Sequence, residues 1–177
     1  MRLTSVEKPG TLFLKIAYYL SRRRFGKPLA ALRIIYARFP PALKVALRIL
    51  RTEKQLVLPR RLQLFIRYYT SHLNDCPFCS NAIDYAVARE NEAFQEWKEF
   101  LDFRNSSRFS EKEKALLTYL EEVNFSKTAT EETFSALKRH FSEREIVELT
   151  WINATENYFN LMAKPLGLSS DQLQFGG

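Results

Sequence analysis

Residues 58–79 carry the sequence LPRRLQLFIRYYTSHLNDCPFC, which joins a helical pattern of apolar residues to two cysteines at C-x-x-C spacing. The apolar residues recur at helical intervals through 58–73, and polar residues then interrupt the pattern. If Cys76 is the N-cap of a second helix, Pro77 takes the first helical position, where its missing N–H costs nothing, and Cys79 takes the third. The stretch therefore predicts two consecutive helices, with both sulfur atoms at the start of the second.

Cys76 and Cys79 are the only cysteines of the sequence, and their spacing lets two thiols close a disulfide within one helical turn. In a chain without a secretion signal, such a pair indicates a redox site or half of a metal site. The positive end of a helix favours thiolate and lowers the pKa of a cysteine, and the thiolate is the form that attacks a peroxide or a disulfide. We therefore expect Cys76 and Cys79 to be catalytic, and the sequence leaves open which of them attacks.

The size and composition of the chain fit a single globular domain. Its 177 residues are 46% hydrophobic, and this length and hydrophobic content are enough to form one core. The chain includes only five Gly. Charges interrupt every apolar stretch, so we expect no membrane span. The apolar segment at 12–20 runs into Arg22-Arg23-Arg24 without a small-residue cleavage site, which argues against a signal peptide and favours a cytoplasmic protein.

The charge of the chain is divided unevenly. Residues 1–70 contain 16 Lys and Arg against two Asp and Glu, whereas residues 71–177 contain 11 against 18. The basic part can pack against the acidic part, within one subunit or between subunits. The alternative is a basic face for nucleic acid or an anionic membrane. No groove-reading motif accompanies the charge, so we do not expect nucleic-acid binding.

Apolar residues recur at helical spacing along nearly the whole sequence, and alternating strand patterns are absent, so we predict an all-α fold. Two capping boxes, Ser110 to Glu113 and Ser142 to Glu145, and the N-cap Thr130 mark the starts of three later helices. No repeat, low-complexity tract or linker divides the chain. The predicted helices cover about residues 10–22, 27–38, 41–53, 58–73, 76–91, 92–102, 110–125, 130–140 and 142–164.

Several segments together resemble the AhpD-like, or carboxymuconolactone decarboxylase, superfamily. Leu58 to Arg67 followed by Cys76-Pro77-Phe78-Cys79 is similar to the helix and C-x-x-C core of this alkylhydroperoxidase-type group. The resemblance covers about residues 24–168 of a single domain over 1–177, which leaves a basic N-terminal helical extension at 1–23. Further similar segments lie at residues 24–27, 39–40, 109–116 and 141–149.

The resemblance implies a helical bundle that assembles as a homo-oligomer and reduces peroxides or partner disulfides with its cysteine pair. In the redox members, a Glu twelve residues before the first Cys and a His four residues after the second form a proton relay. Here these positions hold Leu64 and Ile83. Apolar neighbours desolvate the thiols, and modest burial can cancel a helix-dipole contribution of about 0.3–1 kcal/mol. We therefore do not expect fast peroxide reduction at neutral pH.

His72 is a further candidate for the catalytic site. It lies four residues before Cys76, where it could stabilise a thiolate as an imidazolium or accept a proton as a neutral base. The alternative is an ordinary surface histidine near the end of a helix. Four polar residues of the last predicted helix could reach the site only through the fold, and they are Asn153, Glu156, Asn157 and Tyr158.

A zinc site is another alternative, because His72, Cys76, Cys79 and His140 are all the histidines and cysteines of the sequence. A two-Cys, two-His site normally has its histidines about three to five residues apart, and these are far more widely separated. We therefore predict no metal and no cofactor. Decarboxylation is not favoured either, because the acid and base groups that it needs are missing at the relay positions.

The sequence leaves two functional hypotheses. The first is a cytoplasmic, homo-oligomeric thiol-disulfide redox protein with antioxidant activity, whose partners are a peroxide or disulfide substrate and a thiol electron donor. The second is a catalytically degenerate member of the same superfamily that serves as an oligomeric binding or scaffold protein. Whether the protein is an enzyme thus stays open, as do the substrate, the electron donor and the number of subunits.

Overall fold

The computed structural model describes residues 1–90, 92, 94 and 97–173, and the protein is all-α, as predicted. No strand occurs in these residues. A π-helical turn spans Leu32–Tyr36, and 3-10 turns span Glu53–Gln55 and Lys164–Leu166. The α-helices are α1 (Leu12–Phe25), α2 (Pro40–Thr52), α3 (Arg60–Leu73), α4 (Pro77–Arg89), α5 (Trp97–Phe100), α6 (Glu111–Ser126), α7 (Glu131–Lys138) and α8 (Glu143–Ala163).

Residues 27–38 depart from the regular helix that the sequence predicts. Most of the helical part of this segment is the π-helical turn. The backbone N–H of Ala30 donates to the carboxylate of Asp171 at 2.9 Å, so a side chain far along the sequence binds a group at the start of the segment. A contact between distant residues thus contributes to the conformation here, and local periodicity could not predict it.

The helix predicted over 92–102 is also shorter in the structure, where α5 is a single turn. Residues 91, 93, 95 and 96, on which parts of the predicted helices fall, lie outside the described residues. After α5 the chain continues in turns, and the side chains of Phe100 and Phe103 are both buried. The ring of Phe100 lies 4.9 Å from that of Phe109. Burial of aromatic rings therefore holds this segment in place without a long helix.

Side-chain caps begin α6, α7 and α8 at the predicted residues. Ser110 and Glu113 form a complete capping box, and so do Ser142 and Glu145. The hydroxyl of Thr130 caps α7. Each cap contributes about 1 kcal/mol and satisfies N–H groups that have no partner within the helix.

Helix α3 lies at the centre of the fold and packs against α4, α6 and α8. One core, which we call the C-terminal core, joins α3 to α6, α7 and α8 through residues such as Phe65 and Leu117. A second, the N-terminal core, joins α1, the π-helical turn and α2 to the start of α4 and the end of α8, and it includes Leu14 and Leu43. The cysteine pair belongs to this second core.

Ion pairs connect the basic and acidic parts of the chain at α3. Arg60 pairs with Glu90 at 2.9 Å and Arg61 with Glu92 at 3.1 Å. These partly exposed pairs each contribute about 0–1 kcal/mol. The basic residues of the Arg22-Arg23-Arg24 run are exposed. Among the described helices, none has both the length and the apolar character needed to cross a membrane.

Candidate active site

The cysteine pair stands at the start of α4, in the arrangement that the sequence predicts. Cys76 is the N-cap residue and Pro77 takes the first helical position. Asp75 has a φ of 47°, and this left-handed residue makes the turn between α3 and α4. The N–H of Cys76 donates to the carbonyl of Ser71 at 3.2 Å. Cys76 and Cys79 are joined as a disulfide with a Cα–Cα distance of 5.3 Å.

Both cysteines are buried, with exposed fractions of 1% for Cys76 and 4% for Cys79. Cys79 lines a cavity of about 270 Å³, which we call the thiol cavity. Cys76 is not among the described residues that line it. The two cysteines are therefore not equivalent, because Cys79 contacts the space that a small molecule can enter.

The walls of the thiol cavity are largely apolar. Leu64 and Ile83, the positions at which the sequence resemblance implies a relay Glu and His, both line it. Apolar side chains therefore replace water around the sulfur of Cys79 at these two positions, which is the desolvation that the sequence leads us to expect. The other apolar side chains of the lining are Ala31, Ile35, Leu50, Phe78, Ala82, Ala86, Phe159, Met162 and Ala163.

A buried group of charges lines the same cavity. The guanidinium of Arg67 donates to Glu156 through Nη1 and to Glu53 through Nη2. We call Glu53, Arg67 and Glu156 the buried triad, because their exposed fractions are 6%, 5% and 2%. Arg67 also lies over the ring of Phe159, 5.8 Å from its centroid. Two carboxylates around one guanidinium give the triad a formal charge of −1, and such a group is stable in the interior only while its ion pairs are intact.

A chain of amides connects the triad to the turn that carries the cysteines. The side-chain amide of Asn74, two residues before Cys76, donates to the side-chain oxygen of Asn160 at 2.7 Å. Asn160 in turn donates to Glu156 Oε1 at 2.8 Å. Glu156 thus has both oxygens engaged, and its position is coupled to the turn between α3 and α4.

Among the described residues of the cavity wall, Tyr36 is the remaining uncharged polar side chain besides Cys79. Burial raises the pKa of Tyr36 to about 12, and the neighbouring Tyr158 acts in the same direction. The phenol is therefore neutral at physiological pH and keeps its proton as a hydrogen-bond donor. Tyr158, which the sequence singles out on the last helix, approaches the site through this contact.

Asn153 and Asn157 belong to a polar network that meets the amide chain at Asn74, which also donates to the side-chain oxygen of Asn157 at 3.0 Å. Thr70 donates to the side-chain oxygen of Asn153 at 2.9 Å, and Asn124 donates to the same atom at 3.0 Å. Asn157 donates to Asn124 at 2.6 Å. These bonds tie α3, α6 and α8 together, and neither Asn153 nor Asn157 is among the described residues lining the thiol cavity.

His72 is also outside the described lining of the thiol cavity. Its Nδ1 lies 2.8 Å from the carbonyl oxygen of Tyr68, and its ring stacks on that of Tyr68 at 4.2 Å. Burial raises the pKa of Asp84, and the nearby His72 lowers it in part. His72 on α3 is therefore close enough to Asp84 on α4 to interact with its carboxyl group electrostatically.

His140 does not lie at the cysteine site. It lines a different cavity, together with Glu111 and Glu132. In the ranges 1–90 and 97–173, no group of three or more His, Cys, Asp or Glu is arranged to hold a metal ion. The four residues that could have made a zinc site are thus not brought together in the described part of the chain.

Sequence reasoning identifies the cysteines and the apolar relay positions, and it includes Glu156 among the residues that need the fold to reach the site. It misses Glu53 and Arg67. A signal is present for each, since Glu53 is one of only two acidic residues in the first 70 and Arg67 interrupts the apolar pattern of α3. Neither signal says which residues pair with them.

No protein-family model matches the chain, and no curated protein matches it. Solved structures do. A protein of unknown function from Agrobacterium tumefaciens, given the suggested name antioxidant defence protein AhpD, is 26% identical, with a TM-score of 0.68 over 81% of this chain and 98% of its own. A peroxidase-related protein from Silicibacter sp. TM1040 is 16% identical, with a TM-score of 0.79 over 97% and 92%. The debrominase Bmp8 is 19% identical, with a TM-score of 0.73 over 96% and 92%.

Proposed function

We propose, from its AhpD-like helical fold and its cysteine pair, that this protein is a thiol-disulfide redox protein that reduces a peroxide or a partner disulfide. The fold and the pair support a redox role of the alkylhydroperoxidase type. One observation carries the finer proposal: the disulfide sits at the start of a helix, and Cys79 contacts a cavity large enough for a small organic molecule. Cys79 is then the attacking cysteine and Cys76 the resolving one.

The reaction balances with the two cysteines and an external dithiol. The Cys79 thiolate attacks the outer oxygen of a hydroperoxide, the O–O bond breaks, and the alkoxide leaves as an alcohol after taking a proton. Cys76 then attacks the sulfenic acid on Cys79, water leaves, and the disulfide forms. A dithiol donor reduces this disulfide by exchange and restores both thiols. A partner disulfide would replace the peroxide as the oxidant in the same exchange.

The buried triad supports a way to handle protons without the relay Glu and His. The start of α4 favours the thiolate, whereas the net charge of −1 on the triad opposes it, so the thiol needs a base to take its proton. Glu156 is a carboxylate on the wall of the thiol cavity and is held by Arg67 and Asn160. We propose that Glu156 accepts the proton of the Cys79 thiol and returns it to the departing alkoxide.

Thiol oxidation of the reduced protein tests the proposal. We expect cumene hydroperoxide to consume two thiols together, and dithiothreitol to restore them. The variant Cys76→Ser should accumulate a sulfenic acid at Cys79 that dimedone traps, whereas Cys79→Ser should give no such adduct. Ser80→Ala, on the same turn of α4, is the matched control and should behave as the parent protein.

The opposite result would favour the binding or scaffold hypothesis. If both thiols stay inert to peroxides and to a disulfide reagent up to about pH 9, at which even an unperturbed cysteine is largely ionised, the redox proposal is wrong. A dimedone adduct on Cys76 in the Cys79→Ser variant, with none on Cys79 in the Cys76→Ser variant, would reverse the order of attack.

A further inference from the structure

We infer that the site selects organic anions with an apolar body, such as a hydroperoxide that carries a carboxylate. The inference rests on the proposed function, which explains why the ligand carries a reducible bond. It also rests on a second cavity, which explains why the ligand carries a negative charge. In this view the apolar part of the substrate enters the thiol cavity and the carboxylate stays in the second cavity, outside it.

The second cavity, which we call the outer cavity, has a volume of about 690 Å³ and adjoins the thiol cavity. Leu50, Glu53 and Arg60 line both. The shared wall places the outer cavity next to the path by which a ligand would approach Cys79. The outer cavity is the larger of the two, so it can hold a hydrated acid group.

The charges of the outer cavity are mainly basic. Arg24, Lys54 and Arg60 line it, and Glu53 is the one acidic residue of its described lining. Glu53 is already bound by Arg67, and Arg60 is paired with Glu90 at 2.9 Å. Arg24 and Lys54, by contrast, have no ion-pair partner in the described residues. Their two charges are therefore available to attract an anion.

The two cavities together fix the orientation of such a ligand. The triad brings a formal charge of −1 to the thiol cavity, Arg60 lies where that cavity meets the outer one and is paired with Glu90, and the rest of the described wall is largely apolar. A carboxylate would lose its hydration against this wall and would lie beside the two carboxylates of the triad, whereas an alkyl or aryl group has no hydration to lose. The acid group is consequently directed to Arg24 and Lys54, and the reducible bond is directed to Cys79.

Binding and turnover are to be measured in parallel. Calorimetry on the oxidised protein compares decanoate with decanol, and stopped-flow oxidation of the reduced protein compares linoleic acid hydroperoxide with its methyl ester. We expect the acid to be preferred in each pair. The double variant Arg24→Gln, Lys54→Gln should reduce the preference by roughly two- to fivefold for each charge lost, mainly through Kd and KM. Added salt should reduce it as well.

The control carries the same loss of charge on another surface. Lys44 and Arg48 line a groove between α1 and α2 that does not include Arg24 or Lys54, so Lys44→Gln, Arg48→Gln tests for a general effect of net charge. Equal affinity for decanoate and decanol, or an equal response of the two double variants, would overturn the inference. Inert thiols with an intact preference for decanoate would instead refute the redox proposal and leave the anion site standing.

Discussion

The substitution Arg67→Met tests whether the buried triad is held by its central cation. The side chain of methionine can follow the path of the arginine stem, but Glu53 and Glu156 then keep two carboxylates in the interior with no guanidinium between them. Removing one partner of a buried ion pair costs about 3–5 kcal/mol, mainly because the remaining charges are left without compensation. Both carboxylates are more than nine-tenths buried, so we expect the upper half of that range.

Urea unfolding of the reduced proteins measures this loss. With an m-value of about 2 kcal/mol per M, the midpoint for Arg67→Met should fall by about 2 M. Arg61→Met is the matched control, because Arg61 lies on the same helix and pairs with Glu92 at the surface. Its loss should stay below about 1 kcal/mol.

A further variant separates lost charge from lost packing. The triple variant Glu53→Gln, Arg67→Met, Glu156→Gln removes all three charges and should recover most of the stability. A loss no larger than that of Arg61→Met, or one that the triple variant does not relieve, would refute the claim that the triad is desolvated and held by charge.

Three other predictions concern single residues. Ser142→Ala should destabilise the protein by about 1 kcal/mol in thermal unfolding at neutral pH. Hydrogen bonds from the N–H and hydroxyl of Ser142 lower the pKa of Glu145. The stability that these bonds contribute is therefore present above the usual pKa of Glu and is lost as the pH falls through the lowered pKa. A loss in Ser142→Ala that does not depend on pH would contradict this reasoning. Burial raises the pKa of Asp171, so the contribution of this residue to the free energy of unfolding declines as the pH rises through the raised pKa. Asp171→Asn should therefore flatten the dependence of the unfolding free energy on pH just above the usual pKa of Asp. Glu156→Gln should slow thiol oxidation by about a hundredfold and shift its pH profile, and an equal effect of Glu53→Gln would argue for a change in local charge instead of proton transfer.

The parts of the fold that follow from local chemistry are predictable from the sequence. The capping boxes at Ser110 and Ser142 satisfy N–H groups within three residues, and the pairing of Cys76 with Pro77 sets the start of α4 in the same way. These signals depend on neighbours in the chain. For that reason the later helices and the position of the cysteines agree with the structure.

The parts that depend on distant residues are not predictable in this way. Asp171 binds the backbone of Ala30, and periodicity in 27–38 contains no information about that contact. The triad likewise gathers residues from the 3-10 turn after α2, from α3 and from α8. The sequence indicates a resemblance to a redox superfamily and places Leu64 and Ile83 where that resemblance implies relay residues. It does not indicate which charges lie beside them, because that depends on how α8 packs on α3.

If Cys79 attacks as proposed, the cavity contributes more to the choice of oxidant than the thiol itself does. Cys79 keeps the start of a helix, worth about 0.3–1 kcal/mol, and its apolar walls oppose this gain. A substrate that buries about 100 Å² of apolar surface in the cavity gains about 2.5 kcal/mol, at about 25 cal/mol per Å². Hydrogen peroxide has no apolar surface to bury and gains nothing from those walls. Under the proposed function, the apolar lining that disfavours a thiolate therefore favours oxidants with an apolar body over small polar ones.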